Sequence, residues 1–299
     1  STTSPSASAT ANPTSATSTP PSQTHQNGTC SVNNNQILQV DGISELVEYI
    51  TNRHESTLWF RGMRCHTWHL EPSLWRYLLS TGLPLTIDQI KRTETRLLTR
   101  FRQQSLPYWP AGYPQSDWEH LFMMQHYGIP TRLLDWTTGL LTALYFALET
   151  HDIAEHQQDH ECLPTIWVLD PVAMNRTNKR FDGMEHIAIL ASSDKDANPW
   201  SPESRDFIDM GPEPIAMYGL YNSDRISSQH GSFTVSGKEL TPIDELDATQ
   251  GSGSYLSKIE LLGDPTRMRK QLSLLGIHQS TVYPGLASIA HDLAKEGSK

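Results

Sequence analysis

A short stretch, Gln125–Thr137, concentrates side chains that could bind or react with a ligand. It reads Gln-His-Tyr-Gly-Ile-Pro-Thr-Arg-Leu-Leu-Asp-Trp-Thr and leads into the apolar run Ala143–Ala147. Polar groups held against the start of a buried helix are fixed in place by the scaffold, which is a common way for a fold to present a site. The stretch therefore predicts an active site or a ligand pocket.

Four residues of this stretch have an open choice of role. His126 could bind phosphate, act as an acid or base, or hydrogen-bond a neighbouring carbonyl. Arg132 and Asp135 lie three residues apart, so they could pair with each other or face a ligand. Trp136 could stack on a base or a nicotinamide ring, or it could pack in the core.

Arg61 is a second candidate, carried by the aromatic run that ends in Phe60-Arg61-Gly62. This run favours a short buried strand over residues 58–62. A guanidinium at a strand end offers a planar fork of donors that suits phosphate or carboxylate, and Gly62 would let a ligand approach the backbone. The alternative is an arginine that pairs with a carboxylate of the core.

A third polar cluster, Asn222–Val235, predicts a loop that enters a strand, with Gln229 near the junction. A glutamine can orient a hydroxyl group or a water molecule, but it cannot abstract a proton. The 13 histidines show no pair at metal-ligand spacing with a third ligand, so no metal site is predicted.

The composition bears on the class of partner and on location. The 33 acidic and 23 basic residues give a net charge of -10, which argues against sequence-independent attraction to DNA or to an anionic membrane. Residues 51–104 are locally basic, with nine Lys and Arg against four Asp and Glu, which indicates either a phosphate partner or a solvated helix face. Three cysteines at irregular spacing, no long apolar run and no signal-peptide pattern predict a soluble cytoplasmic protein.

The pattern along the chain predicts a disordered segment and one α+β domain. Residues 1–35 contain no charged residue and little apolar surface, so we expect disorder there and a single domain over 36–299. Residues 176–213 are rich in proline and polar residues and predict surface loops. The stretch Gln125–Thr137 is predicted as a loop between two helices. The periodicity predicts helices over 44–50, 87–104, 118–126, 139–149, 267–275 and 286–295, and strands over 58–62, 165–169, 215–221 and 231–236.

Several of these motifs together resemble the FRG-domain family, which is named for a Phe/Tyr-Arg-Gly motif. The resemblance extends from about Trp59 to Val235, with a similar tail at 272–285. The family is largely uncharacterised, so the resemblance alone implies little about activity. The motifs that carry it are Trp59–Gly62, Leu74–Arg76, Gln125–Thr137, Ala143–Ala147, Arg225–Ile226 and Gln229–Val235.

The order of these motifs is also similar to that of ADP-ribosyltransferases of the Arg-Ser-Glu type. This resemblance implies an α+β fold in which two small twisted sheets with flanking helices hold NAD in a cleft. Arg61 would bind the phosphate or ribose of NAD, Asp135 and Thr137 would brace the nicotinamide ribose, and Gln229 would occupy the position of the catalytic Glu. Further NAD contacts are then expected from Phe60, Gly62, His126, Tyr127, Arg132, Trp136, Thr137 and Arg225.

Gln229 departs from that pattern, because a neutral amide cannot stabilise the cationic sugar that forms as nicotinamide leaves. Either Asp135 supplies the carboxylate, or the domain binds a nucleotide with little turnover, or the acceptor is unusual, such as a nucleic acid. The leading hypothesis is an ADP-ribosyltransferase that uses NAD as its substrate and modifies an unknown protein or nucleic-acid acceptor. The alternatives are a non-catalytic nucleotide- or phosphate-recognising module and a hydrolase or nuclease acting through His126 and Asp135.

Overall fold

The computed structural model describes residues 37–55, 57–109, 113–114, 116–149, 162–202, 210–219, 231–249 and 254–296, all within the unit Asn34–Lys299. The segment predicted to be disordered, 1–35, lies outside these residues. Arg225 and Gln229 also lie outside them, so their predicted roles stay predictions.

Seven strands form one mixed sheet in the order β1-β7-β4-β2-β3-β6-β5. The pair β1 and β7 is parallel and the remaining pairs are antiparallel. The strands are β1 (Leu38–Val40), β2 (Trp59–Met63), β3 (Leu133–Thr137), β4 (Thr165–Leu169), β5 (Ile215–Tyr218), β6 (Gly231–Val235) and β7 (Leu256–Leu261).

Ten α-helices flank the sheet in the described part of the chain. At the start of α4, the Ser116 hydroxyl accepts a hydrogen bond from the Glu119 N–H at 3.3 Å and caps the helix. The helices are α1 (Ile43–Thr51), α2 (Ser73–Ser80), α3 (Ile87–Ser105), α4 (Asp117–His126), α5 (Leu140–Leu148), α6 (Pro171–Thr177), α7 (Ile243–Thr249), α8 (Pro265–Leu274), α9 (Gln279–Val282) and α10 (Leu286–Glu296).

Alternation along the central strands builds a core on each face of the sheet. Phe60, Ile166 and Val168 pack on one face with apolar residues of α1, α5 and α8. Trp59 and Trp167, their neighbours in sequence, pack on the other face with residues of α6 and α7. Successive side chains of a strand point to opposite faces, so the apolar residues of β2 and β4 contribute to a core on each side of the sheet.

The α+β class with flanking helices is confirmed, but the strands form one sheet rather than two small ones. β2 and β3 share a single register pair, Phe60 opposite Thr137, whereas β2 pairs with β4 along its whole length. β2 and β3 are therefore paired at that one position only, and their remaining residues are not joined by a ladder.

The predicted loop between two helices is wrong for residues 133–137, which form strand β3 in the interior of the sheet. Leu133, Leu134 and Trp136 are buried there, and backbone pairing with β6 runs along the whole strand. The sequence did not predict this strand, because it closely follows the helix-stop residues Gly128 and Pro130. Five residues are also too few to show a clear alternation of apolar and polar side chains.

The described parts of this proline-rich segment, 176–202 and 210–213, are also more buried than their composition predicted. Phe181, Ala197 and Trp200 are at most 1% exposed and pack against the side of the sheet that carries Phe233. Short 3₁₀ turns at Lys179–Phe181 and Lys195–Trp200 support them. Isolated apolar residues in a polar segment can thus complete a core without forming a periodic pattern.

A disulfide joins Cys65 to Cys162, although the spacing of the cysteines did not indicate one. The pairing follows from the sheet, because Met63 of β2 lies opposite Thr165 of β4 and the two cysteines come just beyond that end of the ladder.

Among the helices that the structure describes, none combines the length and the apolar character needed to cross a bilayer.

Candidate functional site

The candidate site lies where β2 and β3 separate. Phe60 and Thr137 form the single register pair between the two strands. Beyond them, the backbone of Arg61–Met63 faces Asp135 without forming a ladder, so the two strands enclose a gap that side chains and a ligand can enter. An opening inside a sheet places its walls on rigid elements, which suits a binding site.

Residues of both strands line a cavity of about 750 Å³. This volume lies in the range of about 300–1,000 Å³ that is typical of small-molecule sites. The cavity is lined by Phe60, Arg61, Gly62, Met63, Arg64, Thr67, Trp68, His69, Glu71, Arg76, Phe122, Gln125, His126, Asp135, Trp136, Thr137, Phe146, Glu149, Gly231 and Phe233.

Arg61 bridges the gap between the two strands. Its Nη1 donates to the backbone carbonyl of Asp135 at 2.7 Å and lies 4.0 Å from the Asp135 carboxylate. The Arg61 side chain is 21% exposed, and its Nε is buried with no hydrogen-bond partner among the described residues. A buried N–H of a cation without an acceptor is costly, so the site has unused capacity for an anion.

Two further arginines, Arg64 and Arg76, line the same cavity. Burial is the main cause that lowers the pKa of Arg61; the Asp135 carboxylate opposes this, and the neighbouring cation of Arg76 lowers the pKa further. Like charges held near one another repel, and an anion placed between them removes that repulsion. The group of Arg61, Arg64 and Arg76 therefore suits a ligand with more than one negative charge, such as a pyrophosphate.

Asp135 is held in place by Gln125 of α4. Gln125 Nε2 donates to the Asp135 carboxylate at 2.6 Å, and Gln125 Oε1 accepts a hydrogen bond from the Thr131 hydroxyl. The Thr131 backbone N–H in turn donates to the Ser73 hydroxyl at 3.1 Å. This chain of hydrogen bonds orients the carboxylate, which is 56% exposed and so accessible to a ligand.

Gly62 has a different role from the one that the sequence suggested. A Cβ added to Gly62 would lie 2.6 Å from the backbone nitrogen of Ala147, and still closer to the carbonyl oxygen of Ala143. Glycine is therefore required because α5 packs directly on β2. The backbone at Gly62 is thus approached closely by a helix and not, as the sequence suggested, by a ligand.

Replacing Gly62 by Ala is expected to lower the free energy of unfolding by about 3 kcal/mol, because the added methyl group must push α5 away from β2. Urea unfolding followed by far-UV circular dichroism measures this change. Gly42→Ala is the control, since a Cβ at Gly42 meets no atom within 4 Å. A loss no larger for Gly62→Ala than for the control would contradict the packing argument.

Arg132 does not line the cavity, which corrects the prediction that it contacts the ligand. Its Nε donates to Glu94 of α3 at 3.0 Å, and its other nitrogens donate to the backbone carbonyls of Trp200 and Ser236. The side chains of Arg132 and Glu94 are 2% and 3% exposed. Burial raises the pKa of Glu94, while the Arg132 cation opposes that rise. Arg132 is thus a core residue that ties β3 to α3.

Tyr127 is not among the residues that line the cavity. It follows the last turn of α4, is 66% exposed, and touches the edge of the His126 ring at a centroid distance of 4.9 Å. Its contact with a ligand stays a prediction.

The structure brings together seven of the predicted site residues. Trp136 is only 2% exposed and its Nε1 donates to Thr234, so its ring forms a wall rather than an open stacking surface. The other six lining residues are Phe60, Arg61, Gly62, His126, Asp135 and Thr137.

Sequence reasoning missed several residues of the cavity. Arg64 follows Gly62 by two positions and Arg76 lies in the Leu74–Arg76 motif, so both were within reach of the motif analysis. Trp68, His69 and Glu149 gave no signal, because the segments that carry them have no distinctive pattern. In the part of the chain that the structure describes, no three His, Cys, Asp or Glu side chains are placed to hold a metal ion.

Residues 56–156 match the FRG domain. The matched range covers about a third of the 299 residues and includes both strands of the gap, with Arg61 and Asp135. The Arg and Gly of the Phe-Arg-Gly motif thus have separate roles in this chain. Arg61 enters the cavity, and Gly62 leaves room for α5 to pack on β2. No curated protein and no solved structure matches the chain.

Proposed function

We propose that the FRG domain of this protein transfers ADP-ribose from NAD to an acceptor and releases nicotinamide. The observation that carries the proposal is the pairing, at one gap, of an arginine with unused hydrogen-bonding capacity and an accessible carboxylate. Arg61 would bind the pyrophosphate with help from Arg76, and Asp135 would face the nicotinamide ribose.

Each of these groups matches a stage of the reaction. The C1′–N bond of NAD breaks and its electron pair leaves with neutral nicotinamide, so the ribose develops positive charge. A carboxylate that is fixed before the reaction stabilises this charge more in the transition state than in the ground state. Asp135 is oriented by Gln125, so it is suited to supply the anion that Gln229 cannot.

Arg61→Ala tests the anion site. We expect the Kd for NAD, measured by calorimetry, to rise about 100-fold, because two charge-assisted hydrogen bonds to phosphate are lost. Arg61→Lys should recover only part of the affinity, since lysine keeps the charge but lacks the planar fork. Nicotinamide release should fall in both variants.

Arg96→Ala is the matched control for this test. Arg96 is an exposed residue of α3 that does not line the cavity. Equal effects of Arg61→Ala and Arg96→Ala on NAD binding would count against the proposed site.

A second function is favoured by the three arginines alone. A cavity with Arg61, Arg64 and Arg76 could recognise a nucleotide or a phosphorylated group without catalysing a reaction. In that case calorimetry with NAD or ADP-ribose shows saturable binding, while chromatography finds no nicotinamide after long incubation. Binding that depends on Arg61 without turnover would identify the recognition module.

A further inference from the structure

A histidine and a carboxylate form a pair at the rim of the same cavity. His69 lines the cavity, and its Nδ1 lies 2.8 Å from Oδ2 of Asp244, in the first turn of α7. Glu245 is next to it, with Oε1 3.5 Å from the same nitrogen. Since a carboxylate accepts hydrogen bonds, the neutral imidazole carries its proton on Nδ1.

Backbone hydrogen bonds and apolar packing fix the positions of His69 and Asp244. The other oxygen of Asp244 accepts a hydrogen bond from the backbone N–H of Leu70 at 2.8 Å, and the N–H of Ile243 donates to the Leu70 carbonyl at 3.3 Å. Leu70 and Ile243 are buried in one apolar cluster. The imidazole orientation is therefore set by two chain segments that are bonded and packed together.

The remaining nitrogen of His69, Nε2, is free to accept a proton. No described residue hydrogen-bonds to it, and the His69 side chain is 49% exposed. Histidine with Nδ1 held by a carboxylate and Nε2 open to the substrate is the arrangement that general bases use in many enzymes.

The surrounding charges strengthen this base. The hydrogen bond to Asp244 is the main cause that raises the pKa of His69, and the carboxylates of Glu245 and Glu71 act in the same direction. A higher pKa makes Nε2 a stronger proton acceptor, provided that the solution pH is high enough to leave the ring neutral.

We propose that His69, held by Asp244, is the general base that takes the proton from a hydroxyl acceptor during ADP-ribosyl transfer. The inference rests on the proposed function and adds the class of acceptor to it. As the C1′–N bond breaks and its electron pair leaves with nicotinamide, the acceptor oxygen bonds to C1′ and its proton passes to Nε2 of His69.

The need for a base separates hydroxyl acceptors from carboxylate acceptors. A carboxylate has lost its proton at neutral pH, since its pKa is about 4, so it would gain nothing from His69. A hydroxyl group keeps its proton until the new bond forms. A base at the rim of the cavity therefore favours an alcohol, such as a side-chain or ribose hydroxyl, over an acidic side chain.

His69→Gln tests this role with two small nucleophiles, methanol and azide, each added to the full chain with NAD. Methanol carries a proton that must be removed, whereas the azide anion carries none. We expect methyl ADP-ribose formation to fall about 100-fold in His69→Gln, while the azide product changes by less than about twofold. The wild-type rate with methanol should rise with pH above about 6.5, and this rise should be lost in the variant.

His54→Gln is the matched control, because His54 is exposed and does not line the cavity. An equal loss with methanol and azide would assign His69 to the support of the cavity and overturn its role as a base. An unchanged methanol rate would overturn it as well. Absence of nicotinamide release from wild type would overturn the transferase reaction and this inference together, whereas release by wild type with an unaffected variant overturns the inference alone.

Discussion

Replacing Asp135 by Asn is expected to slow nicotinamide release from NAD by about 10³-fold. Asn keeps the size of the side chain and can still meet Gln125, but it removes the negative charge that faces the gap. Loss of one fixed group that stabilises transition-state charge typically costs about 10²–10³ in rate. The measurement is nicotinamide release under saturating NAD, followed by chromatography.

The effect of Asp135→Asn should fall on turnover and not on binding. Arg61 keeps its hydrogen bond to the Asp135 backbone carbonyl in the variant, so the Kd for NAD should change by less than about tenfold. Asp88→Asn, at an exposed position of α3, is the control. A normal rate of release in Asp135→Asn would show that the catalytic charge comes from elsewhere in the protein.

Replacing Arg132 by Met is expected to lower the free energy of unfolding by about 3–5 kcal/mol, the usual cost of removing one partner from a buried ion pair. Glu94 would then stay in the core without its counter-charge, and the carbonyls of Trp200 and Ser236 would lose a donor. Urea unfolding measures this loss.

The double variant Arg132→Met/Glu94→Gln separates the charge from the packing. It should be more stable than Arg132→Met alone, since it no longer buries an isolated carboxylate. Arg96→Met is the control, because Arg96 lies on the exposed side of α3, the helix that carries Glu94. It should change the free energy of unfolding by less than about 0.5 kcal/mol. A cost of Arg132→Met close to that of this control would contradict the importance of the pair.

Much of the local structure could be predicted because it depends on near neighbours in the chain. Helix α4 begins at a Ser-x-x-Glu signal and ends before a glycine with φ of 74°. Strands β4 and β6 follow from short runs of β-branched and aromatic residues. Arg61 and Asp135 could also be identified as candidate site residues, since unusual side chains next to apolar runs stand out in a sequence.

The pairing of β3 shows where such reasoning stops. Leu133–Thr137 reads as the end of a polar loop, yet it lies between β2 and β6. Its partner β6 is far away in sequence, and a five-residue segment has little intrinsic preference that can outweigh its surroundings. Only the assembled sheet determines that Asp135 faces a gap.

By itself, the sequence determined which segments form most of the helices and strands and which side chains are chemically unusual. The tertiary structure decided their tasks: Arg61 enters a cavity while Arg132 is buried against Glu94, and Gly62 contacts a helix. It also joined His69 to Asp244, 175 residues later in the chain. The physical reason is that local conformation depends on neighbouring residues, whereas the charge, solvent and partners around a side chain depend on contacts between distant segments.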